Sequence, residues 1–107
     1  MDEKALLKML IKKLGSGIAK FKVQIATYGI RIDLVFEKKN EVWLINAKKK
    51  LSYIAVGQIL AHKEIYQMRL SPQKELKLGI VCNQGHLAPE RICRDKDIEV
   101  FIFPKKN

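Results

Sequence analysis

The sequence is poor in the residues that mark several classes of protein. It has two cysteines among 107 residues, Cys82 and Cys93, without the C-x-x-C spacing of zinc or redox sites. We therefore expect reduced thiols and no zinc site. No apolar run approaches the roughly 18 residues that a membrane span needs, and the acidic start Asp2-Glu3 is unlike a secretory signal. These absences predict a cytoplasmic protein without a membrane partner.

Acidic residues are also scarce. Asp and Glu number 11 against 21 Lys and Arg, which gives a net charge of +10, while 48% of the residues are hydrophobic, as in a folded domain. A basic folded surface favours polyanions, and nucleic acid is the commonest polyanion in cells. We expect DNA as the partner, although phosphate contacts alone do not distinguish RNA. Frequent lysine is also explained by genome composition or growth at high temperature.

The hydrophobic pattern predicts one α/β domain over residues 1–107, with a central mixed sheet flanked by helices. Helical spacing ends at Gly15-Ser16-Gly17, and Ser52 is a candidate cap for a second helix. The apolar run over 76–82 is typical of a strand that is covered on both faces and has a parallel neighbour. The predicted order αβββαβ(α)β comprises a helix over 2–14, strands over 20–26, 30–37 and 41–48, a helix from Ser52 to about Arg69, a strand over 76–82, helical turns over 88–94 and a strand over 98–103.

Residues 29–48 read as a β-hairpin that collects polar side chains. With Lys39-Asn40 as a two-residue loop, counting back along antiparallel strands places Asp33 opposite Asn46. Lys48 then shares the face of Asn46, because side chains two apart project to the same side. The alternation assigns the opposite face to Trp43, Ile45 and Ala47 and to Ile30, Ile32, Leu34 and Phe36.

The segments GIRID at residues 29–33 and WLINAK at 43–48, in this order of elements, resemble the PD-(D/E)xK nuclease superfamily. Within it, the small archaeal Holliday-junction resolvases are similar. The resemblance implies a restriction-endonuclease-like αβββαβ core and a Mg²⁺- or Mn²⁺-dependent endonuclease that hydrolyses DNA, including branched or junction DNA. It also implies a homodimer, for which the apolar last strand with Phe101 and Phe103 offers a surface.

The resemblance also implies roles for particular residues. In such nucleases two acids share a hard cation, and a lysine assists the attack of water on the phosphate. Asp33 would bind the metal and Lys48 would act in catalysis. Glu3 matches the acid of the first helix in the junction resolvases, and Gln58 matches a glutamine beside the metal site.

The sequence departs from the pattern where the second acid should stand, because that residue is the uncharged Asn46. Three alternatives remain. Glu64 on the second helix supplies the missing acid, or Glu3 and Asp33 form a weak metal site with the Asn46 oxygen. In the third, the chain is a catalytically impaired DNA-binding or assembly module that retains the nuclease fold.

Basic residues around the motif would contact backbone phosphates without reading bases. They are Lys12, Lys13, Lys20, Lys22, Arg31, Lys49 and Lys50. A solvated basic edge that blunts sheet pairing is the alternative. In a module that does not cut DNA, Asp33 would be a structural ion-pair partner of Lys48 or Arg31. His62, on the apolar stripe of the second helix, is expected to be an interior histidine rather than a general base.

Overall fold

A computed structural model describes residues 2–70 and 72–103. Its five strands form one mixed sheet in the order β1-β2-β3-β4-β5. The first three strands are antiparallel, whereas β4 runs parallel to both β3 and β5. The elements are α1 (Glu3–Leu14), β1 (Ile18–Ile25), a 3-10 turn (Ala26–Tyr28), β2 (Ile30–Glu37), β3 (Glu41–Lys50), α2 (Tyr53–Leu70), β4 (Glu75–Gln84), α3 (Leu87–Asp95) and β5 (Ile98–Ile102). This architecture confirms the predicted α/β class and element order.

The helix ends follow from local chemistry. The Asp2 carboxylate accepts a hydrogen bond of 2.7 Å from the Ala5 N–H and caps α1. The Ser52 hydroxyl accepts one of 3.2 Å from the Ala55 N–H, which confirms the predicted cap of α2. Gly15 ends α1 with φ at +91°, a conformation that side chains disfavour. Among the described helices, none combines the length and apolar character that crossing a bilayer requires.

The two faces of the sheet carry separate hydrophobic clusters. On one face, Leu6 and Leu10 of α1 pack with Trp43, Ile45 and other apolar residues of the sheet. On the other face, α2 packs against β3 and β4, and α3 adds Cys93 to the same cluster. Strand β4 contributes to both clusters. The apolar run therefore marks a strand covered on both sides, with parallel neighbours, as predicted.

The register of the β2–β3 hairpin agrees with the prediction. The Lys38 N–H donates to the Glu41 carbonyl at 2.8 Å, which leaves residues 39–40 as the loop. Leu34 pairs with Ile45, and one more step along both strands sets Asp33 beside Asn46. A one-residue slip would have turned Asp33 to the other face. The short loop therefore determines which side chains meet at the end of the hairpin.

The β1–β2 hairpin bends where the site lies. Lys22 has φ at +52°. Phe21 pairs with Leu34 and Val23 pairs with Ile32, but Lys22 and Asp33, which stand opposite each other between them, do not form a ladder pair. Beyond this point Ile30 and Ile32 pack with the cluster beneath α2, whereas Leu34 packs with the cluster beneath α1. The prediction that these residues share one face is therefore wrong. The alternation along β2 breaks between Ile32 and Leu34, opposite the left-handed Lys22 of β1.

The tip of this hairpin touches the far end of α2. The Tyr28 hydroxyl lies 4.0 Å from the Met68 sulfur, and the Arg69 guanidinium lies 5.9 Å from the centre of the Tyr28 ring. The bend thus carries the start of β2 towards α2 and leaves a pocket between them.

Strand β5 is an edge strand whose apolar side chains pack, wholly or in part, on the chain's own clusters. Phe101 is 7% exposed, with its ring centre 6.0 Å from that of Trp43. Val100 and Ile102 pack partly against the cluster beneath α2. The sequence suggested Phe101 and Phe103 as a surface for a second copy, but Phe101 is packed within the chain and Phe103 packs in part against the same cluster. The homodimer itself stays a prediction.

Both cysteines are free thiols and buried. Burial raises the pKa of the Cys82 thiol to about 11, and burial likewise raises the pKa of Cys93. Neither side chain forms a reactive thiolate at neutral pH, which agrees with the expected reduced state.

Candidate functional site

A pocket of about 360 Å³ opens between the start of β2, the end of β3 and the middle of α2. Its lining, within the described part of the chain, contains one acidic side chain, two cationic side chains and three further polar side chains, one of them an imidazole. Small and apolar residues complete the lining. The lining residues are Gly29, Ile30, Arg31, Asp33, Asn46, Lys48, Gln58, Ala61 and His62.

The Asp33 carboxylate connects β2 to β3 where the backbone ladder stops. One oxygen, Oδ2, accepts a hydrogen bond of 2.8 Å from the Ala47 N–H. The other, Oδ1, lies 3.7 Å from the Arg31 Nη2 atom, and the Asp33 side chain is 18% exposed. Of the two ion-pair partners considered from the sequence, the structure brings Arg31 to Asp33. Among the described residues, Lys48 has no ion-pair partner.

Asn46 is enclosed and satisfied at both ends of its amide. The residue is 2% exposed. The Oδ1 atom accepts a hydrogen bond of 3.3 Å from the Asp33 N–H, and the Nδ2 atom lies 3.1 Å from the His62 Nδ1 atom. Because an amide nitrogen can only donate, His62 Nδ1 is the acceptor and the ring proton lies on Nε2.

His62 is held as a neutral imidazole. Its pKa lies below the ordinary value of 6.5, chiefly because burial penalises the charged ring. The Asp33 carboxylate opposes this effect, and the Lys48 ammonium adds to it. His62 is thus an interior, hydrogen-bonded histidine, as predicted. Its bond to Asn46 was not predicted, because no sequence spacing relates a strand residue to a residue on a later helix.

The structure brings together some of the predicted site residues. Asp33, Asn46, Lys48 and Gln58 all line the pocket. Glu3 does not, because α1 packs on the opposite face of the sheet. Glu64 is exposed on α2 and also lies outside the lining. The proposed sets of acids that included Glu3 or Glu64 are therefore not assembled at the pocket.

The residues present do not fit the expected Mg²⁺ or Mn²⁺ site. Hard divalent cations favour several carboxylate oxygens. Within residues 2–70 and 72–103, Asp33 is the one acid that lines the pocket, and no cluster of three or more His, Cys, Asp or Glu side chains could hold a metal. The Asn46 oxygen already accepts a hydrogen bond, and Arg31 lies beside Asp33.

The predicted phosphate-contacting residues are distributed over the surface. Arg31 lines the pocket, and Lys49 and Lys50 follow Lys48 at the end of β3. Lys20 and Lys22 are exposed on the edge strand β1. Lys12 and Lys13 lie in the last turn of α1, on the opposite face of the sheet. The Lys13 ammonium is 5.8 Å from the Phe101 ring centre. Their contacts with DNA stay a prediction.

Comparison with known proteins reveals similarity in structure alone. No family model matches the sequence, and no curated protein matches it. A repair endonuclease from Pyrococcus abyssi superposes with a TM-score of 0.72 at 12% identity, over 96% of this chain and 47% of that one. EndoMS in its apo form gives 0.70 at 12% identity, over 100% and 48%.

EndoMS in a complex with double-stranded DNA gives a TM-score of 0.71 at 16% identity, over 98% of this chain and 46% of the other. The chain thus spans about half the length of each of these proteins. At such low identity the likeness concerns the fold. The chain therefore has a fold similar to part of the repair endonuclease and to part of EndoMS.

Proposed function

We propose that this chain is a DNA-binding domain on an endonuclease fold, and that its pocket receives the sugar-phosphate backbone. The observation that carries the proposal is the convergence of Arg31, Lys48 and Gln58 on one open pocket of a chain with net charge +10. Similar folds in a repair endonuclease and in EndoMS bound to double-stranded DNA support it.

The charges of the pocket favour an anionic ligand. Arg31 has a side chain that is 53% exposed, so its guanidinium is accessible while it pairs with Asp33. Lys48 is half-buried and has no carboxylate partner among the described residues. Cations in such positions neutralise phosphates and release condensed counterions. DNA binding at the pocket should therefore depend strongly on salt.

Fluorescence anisotropy with labelled duplex, branched and single-stranded DNA, and with RNA of the same sequences, tests this proposal. Lys48→Ala should weaken binding to each DNA and reduce the slope of log K against log salt by about 1. Lys39→Ala is the matched control, because Lys39 is exposed in the loop at the other end of the hairpin. Equal losses in the two variants would show that DNA does not bind at the pocket.

A second candidate is DNA cleavage dependent on Mg²⁺ or Mn²⁺, on linear or branched DNA. Asp33, Lys48 and Gln58 share one pocket, as the resemblance implies for such an enzyme, but Asp33 is the one acid among the described lining residues. A cation bound there would therefore take its other oxygen ligands from the DNA phosphate and from water. Incubating end-labelled junction and linear DNA with the protein and either cation tests it. Product formation that is lost in Asp33→Asn supports cleavage. Retained DNA binding without product supports the DNA-binding domain. The predicted homodimer is tested separately, by light scattering with and without junction DNA.

A further inference from the structure

The pocket contains more positive than negative charge. Of the described residues that line it, Arg31 and Lys48 are cations and Asp33 is an anion. Protonation of His62 would add positive charge, so the sign of this balance does not depend on the state of the imidazole. A divalent cation entering the pocket would meet a net positive charge, whereas a phosphate would meet a net attraction.

Asp33 is already compensated without a metal ion. Its Oδ2 atom accepts from the Ala47 N–H at 2.8 Å, and its Oδ1 atom faces Arg31 at 3.7 Å. These contacts engage both carboxylate oxygens with a donor and a cation, which reduces their attraction for a second cation. The charge that remains uncompensated is that of Lys48, with the exposed amide of Gln58 also lining the pocket.

Asn46 provides no further attraction for a cation. Its oxygen is used by the Asp33 N–H, and its nitrogen by His62 Nδ1. A carboxylate of the same shape would add a negative charge beside Asp33 and remove the donor to His62. Whether residue 46 is neutral or acidic therefore determines whether the pocket carries a net positive charge.

We infer that the pocket is an anion site that holds a DNA backbone phosphate through Lys48 and Arg31 without a divalent cation, and that Asn46 sets this preference. The inference rests on the proposed DNA binding and specifies its chemistry. The phosphate oxygens accept hydrogen bonds from the ammonium and guanidinium groups. No bond is broken, so no metal-bound water is required.

The first test compares the wild-type protein in two buffers of equal ionic strength. Anisotropy of a short fluorescein-labelled duplex is measured with EDTA and with Mn²⁺, and Mn²⁺ binding without DNA is measured by electron paramagnetic resonance. We expect DNA binding in EDTA that Mn²⁺ does not strengthen, and a free Mn²⁺ signal. DNA binding that requires Mn²⁺, or Mn²⁺ bound by the protein alone, overturns the inference and leaves the proposed function standing. Absence of DNA binding in both buffers overturns both.

The second test changes Asn46 itself. Asn46→Asp has nearly the same shape, and we expect it to bind Mn²⁺ and to lose about tenfold in DNA affinity in EDTA, a loss that Mn²⁺ restores. Asn40→Asp is the matched control, since it adds the same charge in the exposed hairpin loop. Circular dichroism verifies folding. A folded Asn46→Asp that behaves like Asn40→Asp overturns the role of Asn46, and if it does not fold, the wild-type comparison decides.

Discussion

Replacing Asn46 by alanine should destabilise the protein through its hydrogen bonds rather than through its volume. The substitution removes the acceptor of the Asp33 N–H and the donor to His62 Nδ1, at 3.3 and 3.1 Å. Each bond contributes about 1 kcal/mol net, and a buried group left without a partner costs about 1–3 kcal/mol more. Water in the pocket can replace the partner of Asp33 but not easily that of His62, which is 8% exposed.

With water in place of the bond to Asp33, one lost bond and one unpartnered imidazole nitrogen remain, so we expect a loss of about 2–4 kcal/mol. The total free energy of unfolding of such a domain is about 5–15 kcal/mol. Urea denaturation measures this loss, and the fluorescence of Trp43, the chain's single tryptophan and 7% exposed, reports unfolding. Asn40→Ala in the exposed loop is the control. A loss of less than about 0.5 kcal/mol, the range of ordinary surface substitutions, would refute the enclosed hydrogen-bond pair.

Two further predictions concern the same region. Because the pKa of His62 is lowered, the unfolded chain binds more protons below pH 6.5, so stability should fall as pH decreases through that value towards the folded pKa. His62→Gln should remove this part of the pH dependence in urea titrations, and His86→Gln at an exposed position should not. Lys22→Gly should be more stable than Lys22→Val by about 1 kcal/mol, because φ is +52° there. At Lys20, on the same strand, the Val variant should be more stable than the Gly variant. If the Val variant were the more stable one at both positions, a left-handed Lys22 would be contradicted.

The bend at Lys22 links strain to the geometry of the pocket. A lysine with positive φ is disfavoured, yet it stands opposite Asp33, where the ladder of pairs is interrupted. The same point separates Ile32 from Leu34 on different faces of the sheet. Unfavourable backbone conformations of this kind persist where surrounding contacts determine them. The contact of Tyr28 with Met68 at the end of α2 holds the tip of the same hairpin.

Much of the fold was predictable because its signals are local. Capping residues such as Ser52 act within three residues, and the two-residue loop at 39–40 determines the pairing of Leu34 with Ile45. The apolar run of β4 reports burial directly. The exception is strict alternation along β2, which breaks opposite the left-handed Lys22 of β1.

The site was predictable in part for the same reason. Asp33, Asn46 and Lys48 belong to one hairpin, so their approach follows from strand register alone. Glu3 and Glu64 lie on helices. Whether their side chains reach the pocket depends on how each helix packs on the sheet, which the sequence does not show. The structure places both outside the pocket.

The amino-acid sequence by itself determined the elements, the hairpin register and the excess of positive charge, since these depend on residue type and short spacings. Tertiary structure decided which groups compensate one another. Only the packing of α2 on β3 brings His62 to Asn46 and places Gln58 at the pocket. Such contacts join segments whose separation no local pattern encodes, because they depend on the position and rotation of whole elements on the sheet.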